Sequence, residues 1–339
     1  MAILRRIAPQ IITLAIIIAL NFIMFPQFFN LVVQNDRLYG SLIDVVNRGA
    51  PVALLAIGMT LVIATRGIDL SVGAVIAICG AVAASSIAAG SSLAVTLLMT
   101  LAIGLLCGLW NGVLVSVLGI QPIIATLVLM VAGRGIAQMI TEGVILTFNN
   151  DAFTFLGSGS FAFLPMPVII WVATGIIVMA LVRWSALGLL IEATGINLRA
   201  SRLAGVGTPV ILIAVYMLSG LCAAIAGIIV TADIKGADAN NAGLWLELDA
   251  ILAVVLGGNS LLGGRFSILG SLIGAMIIQA VNTGILLSGF PPEFNLVIKA
   301  VIVLVILFVQ SPAVQSAAGF FKAKRTTPSA TNALTEQRP

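Results

Sequence analysis

From residue 208 to residue 231 the chain carries no charged side chain, and about twenty apolar residues in an α-helix are enough to cross the hydrocarbon core of a bilayer. Nine further, predominantly apolar runs follow the same pattern, at 8–27, 44–64, 69–89, 93–118, 122–140, 165–182, 247–259, 267–287 and 294–311. They are continuous stretches of Leu, Ile, Val, Ala and Gly rather than the alternation that barrel strands require. With 60% hydrophobic and 8% charged residues over 339 positions, no soluble domain of this size could hide so much apolar side chain from water. The expected fold is an all-α integral membrane protein with about ten transmembrane helices, residues 1–321 forming one domain and 322–339 a disordered polar tail.

Arg5 and Arg6 precede the first run, and Lys322, Lys324 and Arg325 follow the last. The positive-inside rule then places both termini in the cytoplasm. The same threading puts Asp36, Asp44, Glu142, Asp151, Asp233, Asp238, Glu247, Asp249 and Glu293 at or near the outer side, leaving Asp69, Glu192 and Glu336 inside. The first run is long and has no small-residue cleavage site after it, so it reads as an uncleaved span.

Several chemistries are excluded. The chain contains no His, which removes imidazole metal ligation and His-dependent proton transfer. Cys79, Cys107 and Cys222 are scattered through apolar runs without metal or disulfide spacing. No Gly-x-x-x-x-Gly-Lys-Ser/Thr loop is present, so the chain has no means of cradling a nucleotide's phosphates itself. No clustered nucleophile, base and acid suggests an enzyme. The spans also lack the closely spaced Asp, Glu and Lys set of most ion-coupled carriers, although some carriers bind sodium through backbone carbonyls.

Small residues crowd the runs. Gly104, Gly108 and Gly112 stand four apart, as do Gly270 and Gly274, and Gly133 and Gly135 lie close together; such spacing lets helix backbones approach in a packed bundle. Two glycine-rich turns interrupt the apolar pattern, Gly67 to Gly73 around Asp69 and Ser71, and Gly257 to Arg265 around Asn259. In the first, Asp69 or Ser71 either caps the next helix or belongs to a re-entrant turn that shapes a path or gate. Paired interruptions in the two halves suit a transporter built from repeats. Of the polar residues in or bordering the predicted spans, Asn111, Gln121, Arg134 and Asn282 are the path candidates, with Gln138, Gln279 and Lys299 beside them. The loop from Asp233 to Glu247 offers Asp238, Asn240, Asn241 and Trp245, groups that suit sugar hydroxyls and a ring face or, equally, a solvated loop with an interfacial anchor.

One polar island remains, Glu192 to Gly205, within a segment of about 185–207 that Arg183, Arg199 and Arg202 hold on the cytoplasmic side. Thr194 or Asn197 is positioned to start a helix there, and Ala200 and Ala204, four apart, would share its face. An ordinary interfacial helix and a docking element both fit this pattern.

Glu192, Gly195, Asn197, Ala200, Ala204 and Gly205, together with the turns Gly67 to Gly73 and Gly257 to Gly264, resemble the cytoplasmic coupling segment and glycine-rich turns of permeases from bacterial ATP-binding-cassette sugar importers of the ribose, xylose and galactose group. The resemblance covers roughly residues 40 to 312. Ala50 to Thr60, Gly236 to Ala250 and Asn282 to Glu293 are most similar to the branch that imports galactofuranose. It implies a multi-pass protein of the bacterial inner membrane, a second permease copy or paralogue, a periplasmic sugar-binding protein and a cytoplasmic ATPase. ATP and Mg would be used by that partner and no cofactor bound by this chain; no nucleic-acid partner is implied. Coupling would run through Glu192, Gly195, Asn197, Arg199, Ala200, Ala204 and Gly205, with alternating access driven from there. The competing class is an ATP-independent facilitator or ion-coupled sugar carrier. One departure from the family pattern is Arg66, which stands where the family usually has glycine.

Overall fold

The computed structural model describes residues 2–30, 32–34, 37–289 and 291–310; the expected tail at 322–339 lies outside them, as do Lys322, Lys324, Arg325, Asp36 and Glu336. The chain divides into two units, residues 1–290 and 291–339. In the first, apolar runs become helices α1 (Ala2–Met24), α2 (Ser41–Arg48), α3 (Ala50–Ala64), α4 (Val72–Ala88), α5 (Leu93–Ser116), α6 (Pro122–Ile140), α7 (Asp151–Ser158), α8 (Met166–Trp184), α9 (Leu187–Ile196), α10 (Leu198–Leu203), α11 (Thr208–Ile234), α12 (Leu246–Leu256) and α13 (Ile268–Leu287). In the second, α14 spans Pro292–Gln310.

Six described helices are long and apolar enough to cross a membrane unaided, α1, α5, α6, α8, α11 and α13. The expected run 44–64 is split at Gly49 into α2 and α3, which meet at 42°. Pro51 at the start of α3 has no N–H to continue the α2 ladder, which is why the helix breaks there; counted as one span, the pair makes a seventh. The run 69–89 becomes a helix only at Val72, because 65–71 is a turn, and 247–259 yields the 11 residues of α12, about 17 Å at 1.5 Å per residue.

Burial sorts these helices into layers. Fourteen of the 15 residues of α3 are buried, so its all-round apolar surface places it inside the bundle, and α4, with 13 of its 17 residues buried, packs with it on α11. The helices around them keep an apolar outer face, including Leu98 and Leu106 on α5, Val131 and Met139 on α6, and Ile176 and Ile177 on α8, all exposed. An inside-apolar and outside-apolar protein is one solvated by lipid.

Glycine makes the closest seams. Gly104, Gly108 and Gly112 of α5 lie directly on α11, where a Cβ on Gly108 would sit 2.6 Å from Met217 Cα and one on Gly112 2.8 Å from Ile213 Cα. Gly220 returns the contact: a Cβ there would lie 3.0 Å from Gly108 N. A Cβ on Gly274 would lie 3.0 Å from Gly257 N, so this glycine joins α13 to the end of α12. The other expected pair divides: Gly133 packs on Ala74 and Ile78, while Gly135 faces open space.

That contrast is testable by thermal unfolding of the purified protein in detergent. Gly108→Val must push α5 and α11 apart and is expected to cost about 1–3 kcal/mol, whereas Gly135→Ala adds helix propensity and is expected to be neutral or stabilising by up to about 1 kcal/mol. Equal effects would contradict the seam.

Candidate functional site

Between α3 and α4 the backbone leaves the helical ladder, and its polar groups are satisfied from within the protein. Asp69, 2% exposed, accepts at Oδ1 from Ser71 N (3.1 Å) and Ser71 Oγ (2.6 Å), and at Oδ2 from Ser219 Oγ of α11 (2.9 Å). Ser71 Oγ accepts in turn from Asn111 Nδ2 of α5 at 2.8 Å. On α6, Thr126 Oγ1 accepts from Leu70 N at 3.1 Å and lies 3.2 Å from the Ile68 carbonyl. Three helices thereby grip one turn. Ser71 occupies the α4 N-cap position but makes no side-chain cap bond, so the simple capping role expected for it or for Asp69 is not what is observed; Asp69 closes the turn on itself. Tyr216 Oη and Asn111 Oδ1 are buried beside these contacts without hydrogen-bond partners.

The second turn is pinned by Asn259. Its Oδ1 accepts from Ser267 N at 2.6 Å, and its Nδ2 donates to the Val254 carbonyl (3.1 Å) and Ser271 Oγ (2.9 Å). Thr60 Oγ1 of α3 reaches the same Ser271 hydroxyl at 2.6 Å.

The two turns and the polar island converge on one point. Gly264 N donates to the Ala64 carbonyl at 2.9 Å, joining the second turn to the end of α3. Gly195, in the last turn of α9, is wedged against both: a Cβ there would collide with the Ala64 carbonyl oxygen and come within 2.7 Å of Gly264 N. Next to it, Arg66 Nη2 donates to the Ile196 carbonyl at 2.6 Å. Glu192, on the same helix, lines a cleft of about 490 Å³ with Arg183, Ser185, Gly188, Phe266 and Ser267.

From this joint α10 projects outward. Asn197 is its N-cap, accepting from Ala200 N at 3.0 Å, whereas Thr194 is buried with its hydroxyl unpartnered. Gly205, at φ 84°, ends the segment in the left-handed region, where glycine carries no Cβ penalty. Ser201 is buried, but Arg199, Ala200 and Ala204 are exposed, and Leu203 is 90% exposed. Ala200 on α10 and Ala204 at its C-cap therefore both lie on the outer surface, beside the exposed Leu203.

The loop after α11 departs most from expectation. Asp238 accepts from Asn240 N, Asn241 N and Asn241 Nδ2 at 3.0, 3.1 and 2.8 Å, and the Asn241 amide, followed by the two backbone groups, holds its carboxyl below the usual carboxylate range. Arg134 Nη1 donates to the Ala239 and Ala242 carbonyls at 3.1 and 2.6 Å, and Gln138 Nε2 to Asn240 Oδ1 at 2.7 Å. Arg134 is six residues before the end of α6, about 9 Å along it, so the loop folds back beside that helix. Gly243 and the buried Glu247 then press on Gly73 at the start of α4. The threading of charges places Asp69 and Glu247 on opposite membrane faces. Four residues span at most about 14 Å from Asp69 to Gly73, well short of a core of about 30 Å, so both belong to one buried region. Arg134 and the loop carbonyls are thus paired, Trp245 is half exposed, and Glu247 Oε2 is buried without a partner.

Two path candidates fall elsewhere. Gln121 is exposed at the N-cap of α6, outside the helix and without a side-chain cap bond. Asn282 sits in α13 with a buried, unpartnered Oδ1 and joins neither turn. Sequence reading missed Ser219, Thr126 and Tyr216, which sit in apolar runs with no local pattern to mark them.

The convergence point gives a direct test. A helical Gly→Ala exchange ordinarily stabilises by about 0.5–1 kcal/mol, but Gly195→Ala must displace backbone at Ala64 and Gly264 and is expected to cost about 1–3 kcal/mol in thermal unfolding. Stabilisation by Gly195→Ala would mean that the three elements do not touch.

The family model described as branched-chain amino acid transport system, permease component, matches residues 41–307. The chain is 63% identical over 303 residues to the galactofuranose transporter permease protein YtfT of Escherichia coli (strain K12), covering 89% of each. It is 43% identical to the fructose import permease protein FruF of Bifidobacterium longum (strain NCC 2705), over 85% of this chain and 82% of the relative. It is 39% identical to the ribose import permease protein RbsC of Escherichia coli (strain K12), over 89% and 92%. No solved structure matches the chain. A helical protein with at least six membrane-crossing candidates, and with permeases as relatives across most of its length, is a transport subunit and not an enzyme: the chain belongs to the permease component family of branched-chain amino acid type transport systems.

Proposed function

We propose that the protein is the membrane subunit of an ATP-binding-cassette importer of the bacterial inner membrane and that its cargo is galactofuranose. The observation that carries the cargo is the 63% identity to a galactofuranose transporter permease across 89% of both chains, against 43% and 39% for the fructose and ribose permeases. A cytoplasmic ATPase hydrolysing Mg-ATP docks on α10, a periplasmic sugar-binding protein delivers the cargo, and a second permease copy or paralogue completes the path. Support for docking comes from the exposed Leu203, Ala200 and Ala204 on a helix attached to the body at Gly195 and Ile196.

In this reading both termini are cytoplasmic, and the bent α2 and α3 pair, α4, α12 and α14 bring the spans to ten. Residues 1–321 act as one permease domain. The second turn, the first turn and the docking segment respond together when the ATPase pair closes, because Ala64, Gly195 and Gly264 are in direct contact. The bundle then shifts between two accessible states, one of which nucleotide-bound ATPase favours. Arg134, Asn240, Asn241 and Trp245 are the groups nearest the loop end for the sugar to meet, and Asp69, Ser71 and Asn111 hold the turn beneath.

The reading is tested by reconstituting the chain in proteoliposomes with its ATPase and binding protein. ATP-dependent uptake of galactofuranose, poorly competed by ribose or fructose, is expected. Ala204→Trp is expected to weaken ATPase retention about tenfold or more during mild-detergent purification, the effect of an obstruction at an interface centre, with membrane insertion preserved. Uptake that follows an ion gradient and needs no ATPase would establish the facilitator or ion-coupled carrier instead.

A further inference from the structure

Arg66 has an unusual backbone and an unusual reach. Its φ is 65°, a left-handed conformation that side chains disfavour because Cβ crowds the following carbonyl. An arginine kept there must return something from its side chain. The stem crosses the second turn, where a Cβ on Gly263 would lie 2.5 Å from Arg66 Cγ. The guanidinium ends on the Ile196 carbonyl, at 2.6 Å and 130 positions away in sequence.

The accepting carbonyl is itself special. Ile196 is the last residue of α9, and at Asn197 the backbone turns extended, φ −154°, to start α10. Carbonyls at a helix C-terminus have no intrahelical donor, and a cation there also meets the negative end of the helix dipole. One exposed side chain therefore joins three elements: the backbone of the first turn, the glycine surface of the second, and the hinge from which the docking helix hangs. The turn that Arg66 enters is the one gripped by Ser219, Asn111 and Thr126.

We propose that Arg66 is a positioning residue for transport, a rivet that makes the hinge between α9 and α10 move as one body with both glycine-rich turns, so that displacement of α10 reaches Asp69 instead of being absorbed at Asn197. This rests on the importer reading above. It assigns Arg66 a role in transmission rather than in holding the fold, because glycine at the same position suits φ 65° better than arginine does and would preserve the turn while removing the link.

The experiment compares wild type, Arg66→Gly and Arg66→Lys in proteoliposomes with the ATPase and binding protein, recording sugar taken up per ATP hydrolysed and the thermal midpoint of each variant. Arg66→Gly is expected to keep its thermal midpoint within a few degrees but to lose about fivefold or more in sugar per ATP, the size of a typical coupling between sites. Arg66→Lys, which retains a cation able to donate to one carbonyl, is expected to recover part of the ratio. An unchanged ratio in Arg66→Gly overturns the proposal, whether or not both rates fall, since a purely structural role lowers uptake and hydrolysis together. Failure of the wild type to couple uptake to ATP would instead refute the importer reading, and the rivet with it.

Discussion

A membrane protein has no water with which to satisfy backbone that leaves a helix, so every break inside the bundle must be paid for by other protein groups. The break between α3 and α4 is the clearest case here. Asp69 takes three hydrogen bonds, two from Ser71 and one from Ser219, and Asn111 holds Ser71 in turn. Remove this arrangement and a carboxylate and several backbone groups are left unsatisfied in an apolar interior, where each costs several kcal/mol. The turn therefore fixes the placement of α5, α6 and α11 around it, and the positions of these helices depend on it in return.

Close glycine contacts then convert a polar anchor into a stiff unit. Gly104, Gly108 and Gly112 bring α5 against α11, the helix that supplies Ser219, so the seam and the turn reinforce each other. At the C-terminal end of α3, just before that turn, the Ala64 carbonyl receives Gly264 N while Gly195 fills the remaining space. Backbone-to-backbone contacts have no side-chain rotamers to yield, and packed interiors shift between discrete arrangements rather than deforming smoothly. In the proposed function, a displacement delivered at α10 would for that reason be transmitted, which is what an importer driven by a separate ATPase needs.

Much of the fold was legible because hydropathy reports where apolar runs lie. The helices appeared where those runs were, and the polar island resolved into α9 and α10 with Asn197 as the cap its side chain predicts. Depth was not legible. Asp69 and Glu247 each sit at the edge of an apolar run, and a threading of charges sends such residues to opposite surfaces, although the structure brings Glu247 onto Gly73. Gln121 borders the apolar run 122–140, and hydropathy does not separate a residue of a span from one that, like Gln121, only precedes the helix. Contacts such as Ser219 with Asp69, 150 positions apart, or Arg66 with Ile196 leave no local signature. Arg66 did leave a faint one, as an arginine where the resemblance led one to expect glycine, and its positive φ shows why glycine would suit.

In the proposed function, the docking segment and the second glycine-rich turn move as one body through the transport cycle. This is tested most directly by the distance between spin labels at Leu203 and Leu262, both highly exposed, in a cysteine-free chain diluted among unlabelled copies and assembled with its ATPase. Superimposable distance distributions are expected in the nucleotide-free and ATP-trapped states. Two distinct distributions would show that the joint at Gly195 opens during the cycle, and would contradict the one-body motion.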